Sequence, residues 1–377
     1  MTLHKIRAAS RRIRPRPSRG WNAFLTDTKL NTVLTYLTQN WQRLELGQAA
    51  DPARLSCVLA TPRFRASSHV IFFVLSAGQT APLLVAKVPR LPGDHKRLDL
   101  EARNLRAAGD ARPGGFASIP RVIAYEEYHN HKLLIETALH GQPMKPGLVR
   151  RQSKLCVEAG LTWLLDFHAT TAHANHDSPD WFAALVEQPL RDFQRTLPPL
   201  AEELGLFEDV LALAETLRGH EMPLVLSHED LSHPNILVSA EWQAQVVDWE
   251  LAEPNGLPGL DLFFFLTYIA FARRGARKNA EYLAAFQEAF FGPHAWTQSY
   301  LARYAETLNL PAPALAPLFV LCWTRYIIGL VTRLQDQHEA HATLNHDTLK
   351  WLRNNRYYAL WRYALTHHGE LVKLSEF

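Results

Sequence analysis

Leu226-Ser227-His228-Glu229-Asp230-Leu231-Ser232-His233-Pro234-Asn235-Ile236-Leu237-Val238, followed after a short polar link by Val246-Val247-Asp248-Trp249-Glu250, decides how the chain is read. Polar groups alternate here with short apolar runs, a pattern that a plain core segment does not need. Residues 236–238 and 245–247 read as two short strands, and the polar link 239–244 lets them pair as a hairpin. Pairing brings Asn235, where the first strand begins, close to Asp248, where the second ends. Asp230 sits on the tight loop just before. An amide oxygen and a carboxylate are hard donors of the kind Mg2+ prefers. A further carboxylate beside them suits a proton acceptor for a hydroxyl nucleophile.

Upstream, residues 55–59, 69–75 and 83–88 are rich in Val, Ile, Leu and Phe and are separated by turn residues, so they read as strands. Lys87, in Val85-Ala86-Lys87-Val88, is a lone cation on an otherwise apolar strand. One face of such a strand is buried, so a lysine on it needs a counter-charge; a surface lysine snorkelling from an edge strand is the structural alternative. The next segment, Leu98-Asp99-Leu100-Glu101-Ala102-Arg103-Asn104-Leu105, is helical by propensity and offers Glu101 as the partner, with Asp99 as its rival.

These residues carry a resemblance. His228-Glu229-Asp230-Leu231-Ser232-His233-Pro234-Asn235 resembles the catalytic loop of the aminoglycoside phosphotransferase and choline kinase-like families, and Val247-Asp248-Trp249-Glu250 resembles their metal-binding segment. The D-x-x-x-x-N spacing also matches the protein-kinase catalytic loop. Glu229 stands where those families usually carry a small residue. The resemblance covers residues 54–266 with specific motifs and the remainder only in helical character. It implies an α+β, bilobal, protein kinase-like fold, with a small antiparallel-sheet N-lobe and a large, mostly helical C-lobe. It also implies roles. Lys87 resembles the strand lysine that contacts the α- and β-phosphates of ATP, held by Glu101. Asn235 and Asp248 would hold Mg2+, and Asp230 would take the acceptor's proton. Leu133-Leu134-Ile135-Glu136-Thr137-Ala138 resembles the hinge, where backbone groups from Glu136 to Ala138 would meet the adenine edge. The first turn, Arg65-Ala66-Ser67-Ser68-His69, would cover the phosphates. It has no glycine, but Ser67 and Ser68 are small and can donate hydroxyl hydrogen bonds.

Bulk properties agree with a globular enzyme. The chain has 377 residues, 47% hydrophobic and 20% charged, enough for two lobes. A formal net charge of +3 is too slight to imply a nucleic-acid partner, and much of the excess lies in Lys5, Arg7, Arg11, Arg12, Arg14 and Arg16. That run reads as a solvated tail, with anionic lipid or nucleic acid as the sharper alternative. No apolar stretch follows it, so it is not read as a secretory signal. Cys57, Cys156 and Cys322 are widely spaced, fitting buried thiols in a reducing compartment, hence a cytoplasmic protein. No membrane span is expected, since 262–272 is too short and 317–331 is interrupted by Arg325. Nothing in the sequence specifies an oligomeric state.

In order, the expected parts are a basic tail (1–20), an N-terminal helix region (21–50) with the helix itself over 21–46, a nucleotide-binding N-lobe (51–138) and a C-lobe (139–377). Within the last, 153–173 reads as an apolar helix whose His168 is a hydrogen-bonded core histidine. His173 and His176 have H-x-x-H spacing but lack further metal ligands nearby. Helical stretches in 178–220 are expected to break at Pro189, Pro198-Pro199 and Gly205. Asp261, in a segment resembling the family's G-x-P-x-x-D-L, reads as a helix N-cap and a brace for the catalytic loop. The far half is helical, aromatic and basic.

The reading is an ATP-dependent phosphotransferase acting on a hydroxyl of a small molecule. Sugars, amino alcohols and antibiotics all suit that reaction. A polycationic acceptor calls for a carboxylate-lined pocket, and the basic far half fits a carbohydrate or an anionic metabolite better. The competing reading is a catalytically silent kinase-like nucleotide-binding module, motivated by the glycine-free turn and Glu229. A protein kinase is disfavoured because no D-F-G to A-P-E segment follows Asp248.

Overall fold

The computed structural model describes residues 28–47, 49–60, 69–175, 180–197, 200, 203–335 and 346–371. Ser67, Ser68, His176, Phe24 and the basic tail lie outside the described residues.

Helix α1 (Thr28–Asn40) buries Val33, Tyr36 and Leu37, an i, i+3, i+4 stripe, and Trp41 just beyond. The expected helix over 21–46 ends early: the Asn40 amide turns back to donate to the Tyr36 carbonyl, and Glu45 takes a left-handed φ of 56°. Five strands follow: β1 (Leu55–Ala60), β2 (His69–Ser76), β3 (Leu84–Pro89), then, after helix α2 (Lys96–Asp110), β4 (Val122–Tyr128) and β5 (His131–Thr137). They form an antiparallel sheet in the order β1-β2-β3-β5-β4. Strand alternation sorts the side chains. Val70, Phe72, Val74, Leu84, Ala86, Val88, Leu133 and Ile135 pack with α1 into one core. The other face carries Lys87, Leu134 and Glu136, and there α2 packs through Leu98 and Ala102.

The large lobe begins with β6 (Gln142–Pro143), α3 (Pro146–Arg151), α4 (Ser153–Thr171) and β7 (His173–Ala174). A π-helical turn (Ala183–Glu187) then runs straight into α5 (Gln188–Thr196), so Pro189 does not break the chain as expected. It sits in the first turn of α5, and the widened turn ahead of it absorbs the missing N–H. Next come α6 (Leu204–Glu215), β8 (Pro223–Ser227), β9 (Ile236–Val238), β10 (Ala244–Val246) and β11 (Glu253–Gly256). They build two small sheets, β10-β9-β6 and β11-β8-β7. The rest is helical: α7 (Leu260–Arg274), α8 (Asn279–Phe290), α9 (Gln298–Thr307), α10 (Leu315–Gln335), α11 (His346–Arg353) and α12 (Arg356–Thr366). A second core unites these helices. The fold is therefore α+β, bilobal and kinase-like.

Helix α7 is apolar all round and almost wholly buried, as a central core helix must be. Gly160 on α4 lets it approach: a Cβ there would lie 2.3 Å from the Phe265 ring. The stretch Ala312–Val331 is long and apolar enough to cross a membrane, but 67% of its apolar window is buried, and α10 packs on α5, α6, α7 and α12.

Candidate active site

Strand β3 aims Lys87 at the face that α2 covers. Its Nζ lies 2.5 Å from Glu101 Oε1 and 3.2 Å from Glu136 Oε1, with all three side chains buried. Burial by itself lowers a lysine's pKa; Glu101, Glu136 and Asp248 outweigh that, and the pKa is raised. The rival Asp99 points elsewhere, accepting from the Tyr125 hydroxyl. Glu101 also accepts from the Trp249 N–H at 3.3 Å, Asn104 donates to the carbonyls of Trp249 and Ala252, and Arg97 pairs with Glu250 at 2.8 Å. Positions 97, 101 and 104 share one helix face. That face grips the segment carrying Asp248.

Asp261 braces the loop that carries Asp230. Its two oxygens accept from the backbone N–H groups of His228 (2.6 Å) and Glu229 (2.9 Å), and His168 Nε2 lies 3.3 Å away. Burial would raise the Asp261 pKa, but His168, His228 and these N–H donors reverse the sign and it is lowered. His168 Nδ1 meets the Tyr304 hydroxyl, which accepts from the Gly259 N–H. His168 is thus a hydrogen-bonded core histidine, as expected. Asp261 braces the loop but does not cap α7, since the N-cap position falls on Gly259. The His228 ring accepts from the Asp230 N–H at Nδ1 and lies 3.0 Å from the Val247 carbonyl at Nε2, a pattern that requires the proton on Nε2.

The hairpin forms with Val246 opposite Ile236, and the Val247 N–H donates to the Asn235 carbonyl. Asn235 Nδ2 donates to the Asp230 carbonyl (3.0 Å) and carboxylate (3.2 Å). With the amide nitrogen committed to Asp230, the Oδ1 oxygen is the atom left to accept or to ligate. Asp248 has a left-handed φ of 73°, and its carboxylate has no hydrogen bond or ion pair among the described residues. Trp249, wholly buried against Trp163, Phe167 and His228, anchors this turn. One amide oxygen and one carboxylate fit Mg2+, which is usually held by one or two protein oxygens with phosphate and water completing the octahedron. Among the described residues no group of three or more His, Cys, Asp or Glu could hold a metal.

The hinge segment holds something that the sequence did not signal. The resemblance implies a role for the Glu136 backbone, yet its side chain is a second carboxylate on Lys87. Burial raises its pKa to about 7, with Lys87 offsetting part of the rise. Its Oε2, like that of Glu101, has no hydrogen bond among the described residues. The Ala138 N–H donates to the Leu83 carbonyl at 3.3 Å. Glu250 is likewise raised to about 7, by burial and then by the Asp248 charge.

Beside the His228–Asn235 loop lies a cavity of about 380 Å³, lined among others by Gln188, Glu229, Glu253, Phe264, Arg325 and Tyr326. Glu229 Oε1 accepts from the Ser227 hydroxyl at 2.8 Å and pairs with Arg325 at 3.4 Å. The basic surplus expected of the far half does not reach this cavity. Arg325 is its single basic lining residue among those described. Arg274 and Arg353 pair with Glu288 and Glu203, and Arg356 lies over the Tyr282 and Tyr357 rings.

The sequence profile of the phosphotransferase enzyme family (APH) matches residues 64–300, more than half of the chain. The chain belongs to that family. No curated protein matches it significantly in sequence. Among solved structures, the choline kinase LicA from Streptococcus pneumoniae is similar at 12% identity, covering 87% of this chain and 99% of that one, with a TM-score of 0.49. The macrolide 2'-phosphotransferase MphH from Brachybacterium faecium is similar at 17% identity, with coverages of 81% and 94% and a TM-score of 0.47. An aminoglycoside phosphotransferase from Alicyclobacillus acidocaldarius gives 17%, 82%, 90% and 0.41 in the same order. At such identities and scores the substrates in those names do not transfer to this chain.

Proposed function

We propose that the protein is a phosphotransferase that moves the γ-phosphoryl group of ATP to a hydroxyl of a small molecule. The observation that carries this reading is the pairing of two half-sites. Lys87 is fixed by Glu101 on a helix that also holds the Asp248 segment, and Asn235 is hydrogen-bonded to Asp230. Lys87 would neutralise phosphate charge, and Asn235 and Asp248 would hold Mg2+. The ion would supply charge neutralisation across the phosphates. Asp230 would orient the acceptor hydroxyl and take its proton as the new O–P bond forms and the bond to ADP breaks. Little covalent chemistry falls to the protein, so positioning and electrostatics supply most of the acceleration. Cys57, Cys156 and Cys322 are all free thiols, which supports a reducing, cytoplasmic setting.

The test is Asp230→Asn. We expect phosphate transfer from ATP to fall by about 10³-fold while Mg-ATP binding, read by thermal shift, persists. Full transfer in the variant would remove Asp230 from its role. Nucleotide binding by the wild type with no transfer to any acceptor would leave a silent binding module.

A further inference from the structure

We infer that Arg325 is a positioning residue for the proposed base: it holds the Glu229 side chain, Glu229 keeps its left-handed backbone only while so held, and the 229–230 peptide thereby aims the Asp230 carboxylate. The inference rests on the phosphotransferase reading, which gives Asp230 its role, and deepens it.

Four observations lead here. First, the loop is strained at one point. Glu229 has a φ of 61°, a left-handed conformation that favours glycine and that a residue with a side chain keeps only when its surroundings hold it there. Second, the holders are few. The Glu229 N–H donates to Asp261 Oδ1 at 2.9 Å, Ser227 Oγ donates to Glu229 Oε1 at 2.8 Å, and Arg325 Nη2 lies 3.4 Å from the same oxygen. The Glu229 side chain is only 17% exposed, and Arg325 is its one counter-charge among the described residues. A carboxylate so secluded is costly once its counter-charge goes. Third, Arg325 is itself anchored. Its Nη1 donates to the Leu185 carbonyl at 3.1 Å. In an α-helix that carbonyl would accept from position 189, but Pro189 has no N–H, so the guanidinium answers a donor that the sequence removed. One end of Arg325 is thus tied to the π-helical turn and the other to Glu229. Fourth, Asp230 follows directly. Its N–H donates to His228 Nδ1 at 3.3 Å and its carboxylate accepts from Asn235 Nδ2 at 3.2 Å, both at or beyond the long end of the usual range. Bonds of that length do not hold the carboxylate against a turn of the preceding peptide. Loss of the Arg325 charge acts twice in one direction: Glu229 gains by turning its carboxylate out to water, and its backbone gains by leaving the left-handed region. Either motion rotates the peptide that carries the Asp230 N–H.

The test compares crystal structures of the full-length wild type and Arg325→Met, and follows phosphate release from Mg-ATP with water as the acceptor. In Arg325→Met we expect Glu229 to leave the left-handed region and the Asp230 carboxylate to part from Asn235 Nδ2. The kcat should fall about tenfold, while the KM for ATP and the Mg-ATP thermal shift stay as they are. Arg325→Gln, which can still donate to the Leu185 carbonyl, should show the same loss, so the result does not depend on the helical turn that Nη1 supports. In a Glu229→Gly background the same Arg325→Met change should cost about twofold or less, because glycine takes that φ without being held. An arginine that only supports folding would lower the urea midpoint in both backgrounds without separating their rates in this way. An Arg325→Met structure that keeps the Glu229 φ and the Asp230–Asn235 contact would overturn the inference. So would an equal loss of rate in the two backgrounds, or full rate in Arg325→Gln. The structures need no turnover, so they decide the matter whatever the rate with water. The two readings fail differently. Absence of a Mg-ATP thermal shift in the wild type removes the phosphotransferase and the base with it; an unmoved loop removes only the role of Arg325.

Discussion

Two buried carboxylates, Asp261 under the His228–Asn235 loop and Glu136 beside Lys87, sit in comparable seclusion and shift in opposite directions. Burial pushes both upward. Asp261 is nevertheless lowered, because two backbone N–H groups and His168 converge on its oxygens. Glu136 rises to about 7, because its one strong partner, Lys87, is shared with Glu101. Donor supply, rather than depth, decides the charge. The large-lobe side of the site is a fixed electrostatic frame; on the small-lobe side Glu101 and Glu136 share the one ammonium of Lys87.

The largest break in that comparison is Asp261→Ala. It strips the partner from two buried N–H groups and from His168, and we expect a loss of roughly 3–5 kcal/mol in urea unfolding, with turnover falling alongside. The next is a pH experiment. The folded-state pKa of Glu136 is raised from 4.5 to about 7, so the native state binds a proton that the unfolded state has released between those values. Its contribution is present below pH 4.5 and lost as pH climbs to 7. Glu136→Gln should flatten that decline by up to about 3 kcal/mol in urea midpoints compared across the range. Asp261 runs the other way: its contribution is present above the usual Asp value and is lost as pH falls through its lowered pKa. A smaller effect is expected of Gly160→Ala, which presses a methyl group into the Phe265 ring behind the brace; we expect about 2 kcal/mol in the same assay. Smallest of all is Arg43→Ala. The Arg43–Glu126 pair joins the end of α1 to β4 on the surface, and its loss should leave the urea midpoint unmoved within error.

Much of the candidate site is legible because its residues are local in sequence. Asp230, Asn235 and Asp248 lie on one loop and hairpin, and Lys87 stood out as a charge on an apolar strand. Glu101 is preferred over Asp99 for its place near the middle of the helix, and the structure adds a reason: Asp99 accepts from the Tyr125 hydroxyl. The parts that stayed hidden depend on partners far along the chain. Arg325 meets Glu229 across 96 positions, and Asn104 reaches the Trp249 carbonyl across 145. Periodicity places a side chain on a face but does not say what stands opposite. Glu136 is named in the sequence reading for its backbone alone, and nothing local in the sequence points its side chain at Lys87. The strand edges differ by a residue or two, as edges fray.

Helix α2 has a consequence for motion. Its first half packs on the sheet through Leu98 and Ala102, its second half joins the large-lobe core through Leu105 and Ala108, and Arg97, Glu101 and Asn104 clasp the Asp248 turn between. It therefore behaves as an axle seated in both halves of the molecule. Any widening of the cleft between the halves would have to turn the sheet about this helix, because Lys87 and the Asp248 turn are both tied to Glu101.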